Sequence, residues 1–286
     1  MFPLRNGVLV FLNGAFVPEE KAVVSVFDRG FLYGDGLFEA IRIFNGKPFR
    51  WQEHIERLRA GADFLKIKLP YSAGQLRAAA DKLIARNKMP DSLLRIVVSR
   101  GIGAPGYSPK TAVKPTLVMS LRSAPKLDPN NPPQWKLITA IFRVPANDLL
   151  GNFKTSNKLL QVLARAGADE VGADEALLLD TDGFVTEGTS SNIFWVKRGA
   201  LYTPPISAGI LPGVTRAVVS EIAADIGVSI REENIRIKDL GQADGIFLSL
   251  TSLGVVEVIS LDGKVVKRAM LTERVRKGYG EMTNNA

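Results

Sequence analysis

The sequence predicts an α+β protein of two domains. Three observations predict it. Strand and helix signals alternate through the first part of the chain, a proline-dense stretch at 123–134 interrupts them, and a second series of strands, turns and helices follows. At 286 residues the chain is long for one core and comfortable for two. The expected division is an N-terminal α/β domain at 1–122, a linker at 123–134 and a C-terminal domain at 135–286.

In the first half, 8–12 and 15–17 flank Asn13-Gly14 and read as a hairpin. A strand is expected over 22–26. The glycine-rich segment 27–36 reads as loop, and 37–44 as a strand ended by Asn45-Gly46. Helical periodicity covers 52–65 and 72–86, and strands at 93–99 and 115–121 close this half. The linker follows because proline fixes φ and lacks an amide donor. Beyond it lie a strand at 135–142 and a helix over about 156–171. Strands at 176–179 and 193–196 follow, with a turn at Asp182-Gly183 before the second. A helix begins near Pro212, a strand spans 245–250, a hairpin turns at Asp262-Gly263, and a last helix begins near Arg268.

Composition removes several function classes. There are no cysteines, so disulfides and thiolate metal sites are excluded, and a reducing cytoplasm is the expected setting. No run approaches the roughly 18–20 apolar residues of a membrane span, and no signal-peptide pattern is expected. The net charge is +8, yet Lys and Arg are scattered and many lie beside Asp or Glu, so nucleic acid is not an expected partner. The single histidine, His54, rules out two-His zinc motifs, and no nucleophile elbow accompanies it; no metal is expected. Chemistry run by Lys, Tyr, Arg, Thr and carboxylates remains, and that favours Schiff-base chemistry.

Four segments could carry it. Lys154 falls just before the predicted helix, where the macrodipole disfavours a cation by about 0.3–1 kcal/mol and helps to lower an amine pKa. Were the helix to include 154, Lys158, one turn on, would add like-charge repulsion; a solvated lysine pair at a domain edge is the ordinary reading of both. Pro212-Gly213-Val214-Thr215 opens an apolar helix whose unpaired Val214 and Thr215 amides suit a phosphate; many ligand-free helices begin the same way. Glu187 stands among small polar residues before an apolar run and wants a buried partner, which a protonated pyridine nitrogen or a protein arginine would supply. Arg57 suits a phosphate through its planar fork, or is an ordinary helix-surface arginine near Glu53.

These pieces lie within six segments that occur in one order. They are Phe-Asp-Arg-Gly-Phe-Leu-Tyr-Gly-Asp-Gly-Leu-Phe-Glu at 27–39, His-Ile-Glu-Arg-Leu at 54–58 and Lys-Thr-Ser-Asn-Lys-Leu at 154–159. Thr-Glu-Gly-Thr-Ser-Ser-Asn-Ile-Phe at 186–194, Gly-Ile-Leu-Pro-Gly-Val-Thr-Arg at 209–216 and Phe-Leu-Ser-Leu-Thr-Ser at 247–252 complete the set. Together they resemble the class IV, or fold-type IV, pyridoxal-phosphate (PLP) aminotransferases over nearly the whole chain. The resemblance implies a small N-terminal α/β domain, a larger C-terminal pseudo-barrel domain with helices, and a homodimer. It implies that Lys154 carries PLP as the internal aldimine and shuttles the proton between Cα and C4′. Glu187 would keep the pyridine nitrogen protonated, and Leu211 would pack on the ring. Arg57, the Val214 and Thr215 amides and Thr251 would hold the phosphate. The implied reaction is ping-pong transfer of an amino group between an amino acid or amine and a 2-oxo acid, through aldimine and ketimine.

Family members include branched-chain and D-amino-acid aminotransferases, R-selective amine transaminases and 4-amino-4-deoxychorismate lyase. The Arg-x-His carboxylate trap of D-amino-acid members is missing; the stretch 99–108 reads Ser-Arg-Gly-Ile-Gly-Ala-Pro-Gly-Tyr-Ser. That stretch and Lys158 resemble some lyases, which would give 4-aminobenzoate and pyruvate. Phe38-Glu39-Ala40-Ile41-Arg42 and Thr251-Ser252 resemble transaminases. Transamination is the expectation, with the lyase and a non-enzymatic PLP-binding relative as alternatives. Tyr33, Phe38, Arg42, Arg100, Tyr107, Lys158 and Ser252 are the candidate substrate contacts. Arg42 could instead pair with a core carboxylate, and Tyr107 could cover a dimer seam.

Overall fold

The computed structural model of the chain describes residues 7–128 and 130–284. The chain forms two compact units. One holds the residues up to Ala124 together with Phe153–Asn157; the other holds Pro125–Asn152 and the chain from Lys158 onward.

The first unit contains β1 (Leu9–Leu12), β2 (Ala15–Pro18), α1 (Arg29–Tyr33), β3 (Gly36–Phe44), β4 (Lys47–Pro48), α2 (Trp51–Leu65), α3 (Ala73–Asn87), β5 (Ser92–Ser99) and β6 (Thr116–Ser123). Its antiparallel sheet has the order β2-β1-β6-β5-β3-β4. Alternation along β3 sends Leu37, Glu39, Ile41 and Ile43 to the core face and Phe38, Ala40 and Arg42 to the other. The core joins Leu37, Ile41 and Ile43 to Leu94, Ile96, Leu117 and Met119, with Ile55 and Leu58 of α2 and Leu76 and Leu83 of α3 packed over them. Ser72 and Gln75 form a capping box that starts α3.

Two expectations fail here. No strand forms over 22–26, because the amides of Ala22 and Val23 close local turns onto Glu19 and Lys21 instead of joining a ladder. Within the expected loop 27–36, α1 forms because the Asp28 carboxylate caps it, accepting from Gly30 N at 2.7 Å. It ends at Gly34 with φ +66°, where a Cβ would lie 2.2 Å from Asn157 Oδ1.

The second unit contains β7 (Gln134–Val144), α4 (Leu159–Glu170), β8 (Glu175–Asp180), β9 (Val185–Gly188), β10 (Asn192–Lys197), β11 (Ala200–Thr203) and α5 (Val214–Asp225). It continues with β12 (Ile230–Glu232), α6 (Ile237–Leu240), β13 (Gly245–Leu250), β14 (Gly254–Leu261), β15 (Lys264–Val265) and α7 (Met270–Asn284). The sheet order is β12-β11-β10-β13-β14-β7-β8-β9, with β15 hairpinned onto β14 at Asp262-Gly263. The outermost strand β9 is joined to β10, five places inward, by residues 189–191 alone. So short a link spans at most roughly 14 Å, so the sheet must curl until those strands meet, which gives the pseudo-barrel. Its core includes Leu177, Ile193, Trp195, Leu248, Val256 and Val258.

A third expectation also fails. The helix placed at 156 begins at Leu159. Residues 155 and 156 instead run extended along β3, Thr155 bridging Leu37 and Ser156 N donating to Gly36 O. Lys154 is therefore not at a helix terminus, and the macrodipole argument does not apply to it. Among the described residues, no helix is long and apolar enough to cross a membrane.

Candidate active site

In the first unit, Phe153–Asn157 lies along β3 as an extra antiparallel rung. Phe38 N donates to Lys154 O at 2.9 Å, Ser156 N donates to Gly36 O at 2.9 Å, and Leu37 bridges Thr155. This fixes the backbone of Lys154 and places its Nζ 4.7 Å from the centroid of the Phe38 ring. The Arg95 guanidinium lies 4.0 Å from the same centroid. Arg95 is opposite Ala40 in the ladder, and burial together with the charge of Arg122 holds its pKa below the usual arginine value.

On the core face, fully buried Glu39 receives Arg57 Nε on Oε1 at 2.8 Å and Nη2 on Oε2 at 2.7 Å. His54 Nδ1 lies 2.8 Å from Oε2. Burial alone would raise the Glu39 pKa, but the charge and hydrogen bonds of Arg57, with the bond from His54, outweigh it and bring it to about 2. His54 is lowered as well, from 6.5: burial pushes it down, Glu39 pulls it up, and the charges of Arg57 and Lys154 push it down again.

A second network fixes the segment after β5. Asp35 Oδ2 accepts from Arg29 Nε at 2.8 Å and Arg100 Nε at 2.7 Å. Arg29 continues to the carbonyls of Gly106, Tyr107 and Ser108, while Arg100 reaches those of Leu65 and Lys66. Gly106 N donates to the Tyr33 hydroxyl, and the Tyr33 and Tyr107 rings meet edge to face. Tyr33 and Tyr107 are thus brought together, whereas Arg100 is occupied as a tether. Arg42 is buried with its guanidinium 4.9 Å from the Phe44 ring centroid.

In the second unit, Glu187 on β9 is held at Oε2 by Leu211 N at 3.0 Å and Asn192 Nδ2 at 3.2 Å, and Asn192 Nδ2 also reaches Leu211 O at 2.9 Å. Two residues on, Gly213 precedes α5, where no side chain caps the first amides, Val214 and Thr215 among them. A Cβ at Gly213 would lie 2.0 Å from Asn192 Oδ1, so only glycine fits the cradle. Ser249, across the ladder from Asn192, has a buried Oγ without a hydrogen-bond partner among the described residues. Lys158 precedes α4, and burial lowers its pKa although Glu187 and Asp148 pull it up. Thr251 and Ser252 directly follow β13. An oriented carboxylate, an uncapped helix start and an orphaned hydroxyl are what an anionic, nitrogen-heterocyclic cofactor requires, so the residues fit PLP.

Sequence reasoning missed Asn192, Arg95 and the partners of Arg57. Asn192 stood inside a quoted motif without a role. The side of β5 occupied by Arg95 could have been found by pairing its alternation with that of β3.

Residues 36–261 match the family described as amino-transferase class IV. A putative branched-chain-amino-acid aminotransferase of Methanocaldococcus jannaschii is 40% identical over 270 residues, 94% of this chain and 93% of that protein. A D-alanine aminotransferase of Staphylococcus aureus is 35% identical over 277 residues, 94% of this chain and 96% of the other. A solved branched-chain amino acid aminotransferase of T.th., complexed with N-(5′-phosphopyridoxyl)-L-glutamate, superposes with a TM-score of 0.90 at 30% identity, covering 98% of this chain and 96% of that one. These relatives are aminotransferases, and the lyase and non-enzymatic alternatives are not favoured. The chain belongs to the class IV aminotransferases and is a PLP-dependent enzyme that moves an amino group between an amino acid and a 2-oxo acid.

Proposed function

We propose that Lys154 holds the cofactor and transfers the substrate proton, and that the enzyme moves amino groups from branched-chain L-amino acids to a dicarboxylic 2-oxo acid. Bound PLP supplies an electrophilic carbon and an electron-accepting ring. Lys154 Nζ would hold the cofactor's electrophilic carbon and, once displaced by the amino acid, its free amine would move the substrate proton from Cα to C4′, across the intervening nitrogen. Its backbone rung on β3 fixes the root of the side chain and so narrows the space Nζ reaches, which reduces the entropy cost of each transfer. Glu187, oriented by Leu211 N and Asn192, holds a proton on the ring nitrogen, and Leu211 packs against the ring. Arg57, oriented by Glu39, would serve the phosphate, as would Thr251 and the Val214 and Thr215 amides.

The observation that carries the substrate reading is the face of β3 and β5 opposite the core. There Phe38 offers an apolar surface beside the cations Arg42, Arg95 and Arg122. An apolar side chain suits the ring, and a second carboxylate suits the arginines. The missing Arg-x-His pattern and the branched-chain names of similar proteins support the same reading. Tyr33, Tyr107, Lys158 and Ser252 are further proposed contacts; Arg100, held by Asp35, is reassigned as a tether.

We also propose a homodimer. Val23, Val26, Phe27 and Phe31, close together in the sequence, expose between 62% and 76% of their surfaces, apolar side chains of the kind a subunit contact covers. Sedimentation as a monomer at micromolar concentration overturns that part.

The test is a half-reaction screen by absorbance on the PLP-loaded enzyme. L-Leu, L-Val, L-Glu, D-Ala, D-Glu, an R-amine and aminodeoxychorismate are added separately. Conversion to the pyridoxamine form by L-Leu, L-Val and L-Glu supports the reading. Conversion by D-Ala and D-Glu alone refutes the L-specific assignment, and lasting PLP form with pyruvate release from aminodeoxychorismate refutes transamination.

A further inference from the structure

Glu175, the first residue of β8, is fully buried, yet the partners of its carboxylate are all neutral. Oε1 accepts from Ala176 N at 2.9 Å, from Thr189 N at 3.2 Å and from the Thr189 hydroxyl. Oε2 accepts from Ser190 N at 3.3 Å and Ser190 Oγ at 3.0 Å. Four of these five donors belong to residues 189 and 190, within the short link between β9 and β10. One end of that link carries Glu187 and the other Asn192, which donates to it. Backbone bonds tighten the same turn: Gly188 N donates to Ser191 O, and Thr189 N also reaches Ala176 O. Gly188 is packed so closely that a Cβ there would lie 2.4 Å from Ser191 Oγ and 3.3 Å from Glu175 Cγ.

The two carboxylate oxygens accept from all five donors, whereas an amide in their place turns a donor toward donors. We infer that Glu175 is a positioning residue: its buried carboxylate fixes the 188–191 turn and thereby the direction in which Glu187 and Asn192 face. The inference rests on the reading that Glu187 partners the cofactor's ring nitrogen. It adds a second carboxylate, remote from the cofactor, that sets how well the first performs.

The experiment compares Glu175→Gln, Thr189→Val and Glu187→Gln in the PLP-loaded enzyme. Glu175→Gln is expected to reproduce the altered cofactor absorbance of Glu187→Gln and to lower kcat roughly 10- to 100-fold with KM little changed, as for displacement of a reacting group. Thr189→Val removes one hydroxyl donor and should give a smaller shift of the same kind. Amide hydrogen exchange at 188–191 should quicken in both, also without cofactor. Wild-type absorbance and kcat in Glu175→Gln, while Glu187→Gln is impaired, overturns the inference. If Glu187→Gln is itself unimpaired, the reading of Glu187 fails, and exchange at 188–191 still reports whether Glu175 fixes the turn. Should Glu175→Gln not fold, Thr189→Val decides: unchanged absorbance and exchange in that variant overturns the inference.

Discussion

Glu39 and Arg57 meet through two parallel hydrogen bonds of 2.8 and 2.7 Å on the core face of the first sheet. An anion in that position would be costly if unpaired, and α2 supplies both of its partners, His54 and Arg57, three residues apart. Glu39→Gln removes the charge while leaving Arg57 largely buried. The expected loss is roughly 3–5 kcal/mol of folding stability, the range for a broken buried pair. Urea denaturation of the cofactor-free protein measures it, and a change below about 1 kcal/mol contradicts the assignment.

Acid should act on the same cluster. The Glu39 pKa falls from 4.5 unfolded to about 2 folded, so its contribution is complete above 4.5 and is lost as pH falls toward 2. That contribution is about 3 kcal/mol. His54, lowered from 6.5 by burial, works in the same direction, because the unfolded chain takes up its proton first. Tm should therefore decline gently below pH 6.5 and steeply below 4.5, and a flat profile over that range would count against both shifts.

Cofactor retention separates the proposed roles. Lys154→Ala should show no borohydride-reducible cofactor. Arg57→Ala should weaken PLP binding by roughly 1.5–3 kcal/mol, the range for a charged hydrogen bond, read by equilibrium dialysis. Glu187→Gln should retain PLP with turnover severely reduced. Reducible cofactor in the first variant, undiminished affinity in the second or near-normal turnover in the third removes that residue from its role.

Gly213→Ala tests the cradle. The new methyl must displace Asn192, whose Oδ1 would be 2.0 Å away, and so disturb the bonds to Glu187 and Leu211. Reduced PLP affinity with a near-native melting temperature is expected. Unchanged affinity would mean that the approach of Gly213 to Asn192 does not shape the site.

The periodic elements were legible in the sequence because burial imposes the period: α2 repeats Trp51, Ile55, Leu58 and Ala62 toward the core. The strand expected at 22–26 failed because β-branched residues signal a strand only where a partner exists, and pairing is not a local property. The helix expected at 156 failed for a related reason, since 154–156 pair in extended form with β3, a partner distant in the sequence. Lys154, Glu187 and Arg57 were legible as candidates only through the six ordered segments, since each alone also fitted an ordinary structural role. Their supporting partners, Glu39, Asn192 and Glu175, were not, because a buried polar residue in a sequence does not reveal which donors surround it.

The rung formed by Phe153–Asn157 has a consequence for how the protein is made. The first unit emerges from the ribosome up to Ala124, but the amide of Phe38 lacks its acceptor, Lys154 O, until that residue follows. At ordinary translation speeds that interval is on the order of 1.5–6 s. The lysine proposed to hold the cofactor is thus among the last parts of its unit to arrive, and the finished edge of β3 is synthesised only after the second unit has begun.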